Sequence, residues 1–142
     1  EQDQAWYYFR LVEPDFTPLP VYSALKDYLT TLEPTLYRGW HQANTWQVTT
    51  TGEWQSAAED GTGARRGLPG ATFSLAWEGR ALDLHTLGDG VIRVRMDDDS
   101  TSADIALSGE SLTLGAGLLA KRHTLSLTVI EGEVTLTALH VR

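Results

Sequence analysis

Three segments of the chain alternate between apolar and polar or small residues, and this alternation limits the fold more than any other feature. They are Thr72–Trp77, Ile92–Met96 and Thr124–Val129. Because successive side chains of a β-strand point to opposite faces, each segment is typical of a strand with one buried and one solvated face. Shorter runs of the same kind lie at Tyr37–His41, Thr45–Thr51, Leu82–Thr86, Ile105–Leu107 and Leu112–Leu114. Roughly eight to ten short strands, separated by Gly, Asp and Ser clusters, predict a mainly β domain that is an antiparallel, jelly-roll-like β-sandwich.

The last apolar run, Val134–Val141, changes phase part-way along. Val134, Leu136 and Ala138 share one face of an ideal strand, whereas Leu139 and Val141 share the other. A β-bulge, or a strand that crosses between two sheets, would produce this change.

The first part of the chain has a different pattern. Ala5–Val12 is a nearly continuous apolar and aromatic run, which is typical of a strand buried on both faces. From Pro20 onward the apolar residues recur at helical spacing, and proline is tolerated in the first turn of a helix. Thr17 and Leu19 are both candidates for the helix cap, and Pro34 is expected to end the helix.

These two parts, residues 1–34 and 35–142, do not fit a single domain. One buried strand and one helix cannot form a parallel sheet, so residues 1–34 are interpreted as the last strand-loop-helix unit of a larger α/β fold. Residues 35–142 are predicted to form a self-sufficient β-sandwich, long enough to bury its own core.

Composition excludes several classes of function. The 142 residues include no cysteine, so disulfides and thiol chemistry are absent. The net charge is −8, from 19 acidic and 11 basic residues, and no basic cluster is present, which argues against a nucleic-acid partner. No segment reaches the apolar length that spans a membrane.

The segment AWYYFRLVEPDFTPLPVYSALKDYL resembles the end of the catalytic barrel in secreted bacterial glycoside hydrolases of the (β/α)₈ type. In that comparison Trp6–Val12 corresponds to the eighth strand and Val21–Leu32 to the eighth helix. The stretch from YRGW through GVIRVRMDD to HTLSLTV is similar to the non-catalytic sandwich modules that follow such barrels, several of which are carbohydrate-binding modules.

This resemblance implies a division of labour within a longer protein. Retaining glycosidases use two carboxylates, which in such barrels follow strands four and seven, and both strands would lie upstream of Glu1. The chain is therefore expected not to be an enzyme itself. Its expected function is that of an extracellular or cell-surface accessory module, with a polysaccharide or oligosaccharide and the upstream barrel as partners. No cofactor is implied.

Sugar binding uses aromatic platforms beside planar polar groups, so the tryptophans of the sandwich are candidate ligand-binding residues. Trp77 continues the buried alternation of its strand and is predicted to lie in the core. Trp40 and Trp46 flank a predicted turn, and Trp54 is predicted to be the most exposed of the set.

Two polar groups add further candidates. Arg65 and Arg66 lie in a Gly-rich stretch, residues 56–70, which is predicted to be a long loop, and they could bind sugar hydroxyls or the carboxylate of an acidic sugar. Asp97, Asp99 and Asp104 could supply oxygen ligands to a structural Ca²⁺, although a polar hairpin is the plainer interpretation.

Other site chemistry finds no support in the sequence. The four histidines lack the spacing of zinc ligands, and no nucleophile elbow or phosphate-binding loop is present. Three functions therefore stay open: a polysaccharide-binding module, a structural sandwich that braces the barrel without a ligand, and a free-standing adhesin. Two or more exposed aromatics in one region would favour the first, and complete burial of all five tryptophans would favour the second.

Overall fold

A computed structural model describes residues 13, 15, 17–57, 63–97, 99, 101–108 and 111–142. The predicted strand Ala5–Val12 lies outside the described residues. The chain divides into two units, residues 1–33 and 34–142, and each is described here by itself.

The described part of the first unit contains one helix, α1, at Pro20–Thr31. Leu19 is its N-cap and makes no side-chain capping bond, so of the two candidate caps the structure selects Leu19. Pro20 occupies the first turn, where its missing amide proton costs nothing. The helix ends when the amide of Leu32 donates to the carbonyl of Tyr28 while Leu32 itself is extended. No helix among the described residues is long and apolar enough to cross a membrane.

The second unit is built from short antiparallel strands. In chain order they are β1 Gly39–Gln42, β2 Thr49–Thr51, β3 Trp54–Ser56, β4 Arg65–Gly67, β5 Thr72–Gly79, β6 Leu82–Leu87, β7 Gly90–Met96, β8 Ala103–Leu107, β9 Ser111–Leu114, β10 Lys121–Gly132 and β11 Val134–Val141.

These strands form two sheets. Sheet A has the order β3-β4-β11-β6-β9, with β1 also paired to β11, and sheet B has the order β2-β5-β10-β7-β8. The inner faces of both sheets contribute to one cluster of buried side chains, including Phe73 and Leu127 from sheet B and Leu84 and Leu136 from sheet A. The predicted antiparallel β-sandwich is therefore confirmed, and its core lies between the two sheets.

The phase change in the last strand is a bulge. The pairing of β11 with β6 shifts register between Leu136 and Ala138, so Thr137 is the extra residue. On the other side of β11, β4 pairs with Val134–Leu136 and β1 pairs with Ala138–Val141. The bulge thus marks the point along β11 where its neighbour changes from β4 to β1.

The prediction of one long loop over residues 56–70 is wrong. β4 lies within it, and β3 ends at Ser56 and pairs with β4. A Cβ on Gly67 would lie 2.8 Å from the ring of Trp54, so this glycine is needed for close packing between strands. The glycine content of the stretch had indicated a loop, whereas at this position it permits a strand pair.

Candidate functional site

The outer face of sheet A carries an exposed aromatic cluster. Trp40 on β1 lies directly across from His140 on β11. Their rings are stacked, with centroids 4.4 Å apart and planes 5° from parallel. His85 on β6 lies on the same side, with its ring centroid 4.8 Å from that of Trp40. The Trp40 residue nevertheless remains 63% exposed, so its indole presents open surface.

The bulge at Thr137 explains why His140 reaches this face. Leu136 is buried, and strict alternation from it would also turn Ala138 and His140 towards the core. The extra residue reverses the phase, so Leu139 and Val141 become buried instead. His140 therefore points outward and meets Trp40.

Asp83 on β6 links the polar side chains next to the aromatic rings. It lies across from His140, and its Oδ2 atom is 3.5 Å from Nδ1 of that ring. Arg142 donates from Nη2 to Oδ1 at 3.0 Å, and its Nε lies 2.9 Å from Oδ2 in an ion pair. Thr113 on β9 donates its hydroxyl to Oδ1 at 2.6 Å. The side chain of Asp83 is only 14% exposed, so these partners replace the water that it has lost.

The charge state of Asp83 follows from these contacts. Its partial burial opposes ionisation, but the hydrogen bonds from Thr113 and Arg142 and the positive charges of Arg142 and His140 outweigh that effect. Together they hold the pKa of Asp83 below its ordinary value, so the carboxylate is ionised at neutral pH. The Trp40 platform, defined as Trp40, His85, His140, Asp83, Thr113 and Arg142, thus combines an open indole with a fixed network of donors and acceptors.

Two further aromatic side chains near β1 are exposed. Tyr37, before β1, is 62% exposed, and Trp46, in the turn that follows β1, is 69% exposed. His41 binds the carbonyl of Tyr37 through Nε2 at 2.7 Å, which ties the start of this segment to β1. Trp77, by contrast, is fully buried, as predicted.

The expectation that Trp54 is the most exposed tryptophan of the set is wrong. Its indole packs on Gly67 and approaches Phe73, with ring centroids 5.6 Å apart. The indole nitrogen donates to the carbonyl of Thr72 at 3.0 Å. Trp54 therefore closes the edge of the core, and its polar atom is already satisfied.

The predicted arginine pair lies on a strand rather than in a loop. Arg65 and Arg66 are on β4, which pairs with the first half of β11. Trp40 is on β1, which pairs with the second half. Arg66 lies 3.7 Å from the carboxylate of Glu133. The two arginines therefore belong to a different stretch of sheet A from the Trp40 platform.

The structure does not gather the predicted calcium ligands. Asp97 lies 2.9 Å from Nδ1 of the buried His123 and accepts from the amide of Thr124, and the His123 bond lowers its pKa. Asp99 accepts from the amide of Thr101, and Asp104 is bound by Arg93. Within the described ranges, no group of three His, Asp or Glu side chains is placed to hold a metal ion.

Sequence reasoning found Trp40 but missed the residues around it. His85, His140, Asp83, Thr113 and Arg142 are drawn from three strands and the residue after β11. Nothing in their spacing along the chain groups them, because only the pairing of β1, β6, β9 and β11 brings them together. The one available signal was the phase change in β11, which bears on the direction of His140.

Comparison with known proteins gives likenesses of structure rather than of sequence. No protein-family model matches the chain, and no curated protein matches it. A family two carbohydrate esterase from Cellvibrio japonicus matches 72% of this chain with a TM-score of 0.60 and 20% identity. A two-domain esterase (CEX) active on acetylated mannans, co-crystallised with mannopentaose, matches 92% with a TM-score of 0.57 and 15% identity. CsCBM6-3 from Clostridium stercorarium, solved in complex with cellobiose, matches 75% with a TM-score of 0.52 and 13% identity.

The coverage differs among these three structures. The matched region is 32% of the first esterase and 48% of the second, but 95% of CsCBM6-3. At such identities the likeness establishes a shared β-sandwich fold, and function has to be argued from the site itself.

Proposed function

We propose that this chain is a non-catalytic carbohydrate-binding module and that the Trp40 platform is its binding surface. The observation that carries the proposal is the indole of Trp40, which is 63% exposed on the outer face of sheet A and stacks on the ring of its cross-strand neighbour His140. An aromatic face stacks on the C–H surface of a sugar ring, and polar groups beside it take the hydroxyls. The imidazole of His85 and the guanidinium of Arg142 are such groups.

The platform is suited to binding without chemistry. Asp83, the carboxylate within it, is largely buried, accepts hydrogen bonds from Thr113 and Arg142, and is also ion-paired with Arg142. A carboxylate so occupied orients its neighbours and is not placed to attack or to transfer a proton. The structures with a similar fold include two that were solved with cellobiose or mannopentaose, which supports oligosaccharides as the ligand class.

Such a module would act beside a catalytic domain on a polysaccharide, in a secreted or surface protein. Tethering raises the effective concentration of substrate at the catalytic domain. The resemblance of residues 5–29 to the end of a barrel favours a glycoside hydrolase as the parent protein, while the similar solved structures include carbohydrate esterases. The alternative of an inert brace is not favoured, because it required all five tryptophans to be buried and Trp40 and Trp46 are exposed.

Calorimetry of the chain with cellopentaose, mannopentaose and xylopentaose tests the proposal. We expect at least one oligosaccharide to bind, and the Trp40→Ala variant to bind it at least about tenfold more weakly, as for an aromatic at the centre of an interface. Tyr37→Ala removes another exposed aromatic and is the matched control, with thermal unfolding to show that both variants fold. Absence of binding to every oligosaccharide, or equal affinity in the Trp40→Ala variant, would contradict the proposal.

A further inference from the structure

The outer face of sheet B is a hydroxyl-lined surface in regular register. One row crosses four strands in the order Thr49, Ser74, Ser126 and Arg95, each directly paired with the next. Neighbouring strands lie about 4.8 Å apart, so the row is about 14 Å long. The side chains of Ser74 and Ser126 touch through their hydroxyls at 3.5 Å.

A second row runs parallel to the first and is displaced from it by two residues on every strand. Its members in order are Thr51, Thr72, Thr128 and Arg93. The hydroxyls of Thr72 and Thr128 are 3.3 Å apart. Both rows therefore run from a threonine hydroxyl on the edge strand β2 to a guanidinium on β7.

Two depressions lie on this face and share residues. The larger, of about 340 Å³, is lined in part by Thr49, Ser74, Arg95 and Ser126. The smaller, of about 200 Å³, is lined in part by Thr128, Arg95 and Ser126. Because Arg95 and Ser126 line both, the two depressions adjoin, and together they are called the Arg95 trough. The larger depression alone is within the volume range of sites that hold small ligands, roughly 300–1,000 Å³.

The charges of the trough differ in how they are balanced. Arg93 donates from Nε and from its guanidinium to the two oxygens of Asp104, at 2.7 and 2.9 Å. Two other charged residues line the larger depression: Asp97 lies 2.9 Å from Nδ1 of His123 and accepts from the amide of Thr124, and Arg122 donates to the hydroxyl of Thr35. Among the residues that the structure describes, Arg95 has no ion pair and no side-chain hydrogen bond. The guanidinium of Arg95 thus lies where the two depressions adjoin, next to Ser126 on the neighbouring strand.

We propose that the Arg95 trough is a second binding site and that its ligand is a glycan segment that carries a carboxylate, such as a uronate oligomer. The planar guanidinium of Arg95 matches a carboxylate with two parallel hydrogen bonds. Ser and Thr hydroxyls both donate and accept, as the hydroxyls of a sugar require. None of the residues that line the two depressions is aromatic, so the charge has to supply the affinity. The site lies on the opposite sheet from the Trp40 platform and is independent of it.

The test uses the whole chain with short uronate oligomers of three kinds, namely oligogalacturonate, oligomannuronate and glucuronic-acid-substituted xylo-oligosaccharides. Fully methyl-esterified oligogalacturonate keeps the sugar rings and removes the carboxylate charge. We expect at least one uronate oligomer to bind. We expect the Arg95→Gln variant to weaken that binding at least about tenfold, because a charge-assisted bidentate contact is lost. Arg95→Lys keeps the positive charge but not the planar pair of donors, so its affinity should lie between those of the parent chain and Arg95→Gln.

Two controls locate the effect. Arg80→Gln removes one positive charge at the β5–β6 turn, outside both depressions, and should bind the oligomer as the parent chain does. Trp40→Ala should also keep uronate binding, so a failure here is separable from a failure of the Trp40 platform. Amide chemical shifts should move at Thr49, Ser74 and Ser126. The inference is overturned if no uronate oligomer binds, if the methyl ester binds equally well, or if Arg95→Gln binds as tightly as the parent chain.

Discussion

The two outer faces of the sandwich are built from the same kind of strand but differ in how they are assembled. On sheet B, the register is regular through the rows that end at Arg95 and Arg93, and the shift in the pairing of β10 with β7 comes beyond them, between Val129 and Glu131. On sheet A, the Trp40 platform depends on a bulge that reverses the phase of β11. A regular register thus repeats hydroxyl side chains along a row. The bulge, in contrast, places His140 on the outer face, where strict alternation would place Leu139.

The largest expected effect comes from a core residue whose direction depends on the bulge. Leu139 points inward because Thr137 is the extra residue, and it is fully buried. We expect Leu139→Ala to lower the free energy of unfolding by about 2–5 kcal/mol, because a buried leucine is truncated and leaves a cavity. Urea unfolding measures this loss, and a loss below about 1 kcal/mol would contradict the position of Leu139 in the core.

Thr137→Ala is the matched control on the same strand. It keeps the bulge residue and loses only the bond from the Thr137 hydroxyl to the carbonyl of His85. We expect a loss of about 1 kcal/mol with cooperative unfolding preserved. A loss as large as that of Leu139→Ala would mean that this hydrogen bond stabilises β11 as much as a core leucine does.

A smaller effect separates the carboxylates of the two faces. The pKa of Asp83 is lowered in the folded state, so its contribution is fully present above the ordinary aspartate value of 3.8 and is lost as pH falls below it. The pKa of Asp104 on sheet B is also lowered, chiefly by the hydrogen bond from Arg93, but its side chain is 46% exposed. We therefore expect Asp83→Asn to cost about 1 kcal/mol at neutral pH through its lost charge-assisted bonds.

Urea unfolding at a series of pH values measures this difference. The stability of the parent chain should fall as pH drops below 3.8, and the fall should be shallower in Asp83→Asn. Asp104→Asn should reduce this dependence of stability on pH less than Asp83→Asn does, because solvent screens the exposed Arg93–Asp104 pair. An equal flattening by both variants would remove the distinction between the two faces.

The smallest effect is expected within the rows of sheet B. Thr128→Val keeps the branched shape of the side chain and removes the hydroxyl that meets Thr72. Because both hydroxyls are near solvent, we expect the free energy of unfolding to change by no more than about 0.5 kcal/mol, as thermal unfolding would show. A loss of several times that size would mean that the paired hydroxyls of the rows contribute to the stability of the fold rather than to ligand binding.

Much of the fold was predictable because its longest strands have one wet face. The alternation in β5, β7 and β10 was read correctly, and the phase change in β11 did mark a bulge. β3 and β4 were missed because three residues are too few to show a period, and because Gly67, which serves packing, looked like a turn residue.

The candidate site was far less predictable. Whether a tryptophan is buried depends on what lies across from it, which the local pattern does not contain. Trp54 packs on Gly67 of the neighbouring strand and lies at the edge of the core, whereas Trp40 stacks on His140 and lies on the surface. Asp83, Thr113 and Arg142 come together only through the register of β6 with β9 and β11.

The bulge at Thr137 also bears on motion. On one edge of β11, Val134–Leu136 pairs with β4 and Ala138–Val141 with β1, and on the other edge the pairing with β6 is interrupted at Thr137. Protection from hydrogen exchange follows such cooperative units. The two halves of β11 should therefore open independently, and a sugar on Trp40 should slow exchange only in the half that follows the bulge. The same bulge that turns His140 outward would thus confine the change in hydrogen-exchange protection to the residues next to the bound sugar.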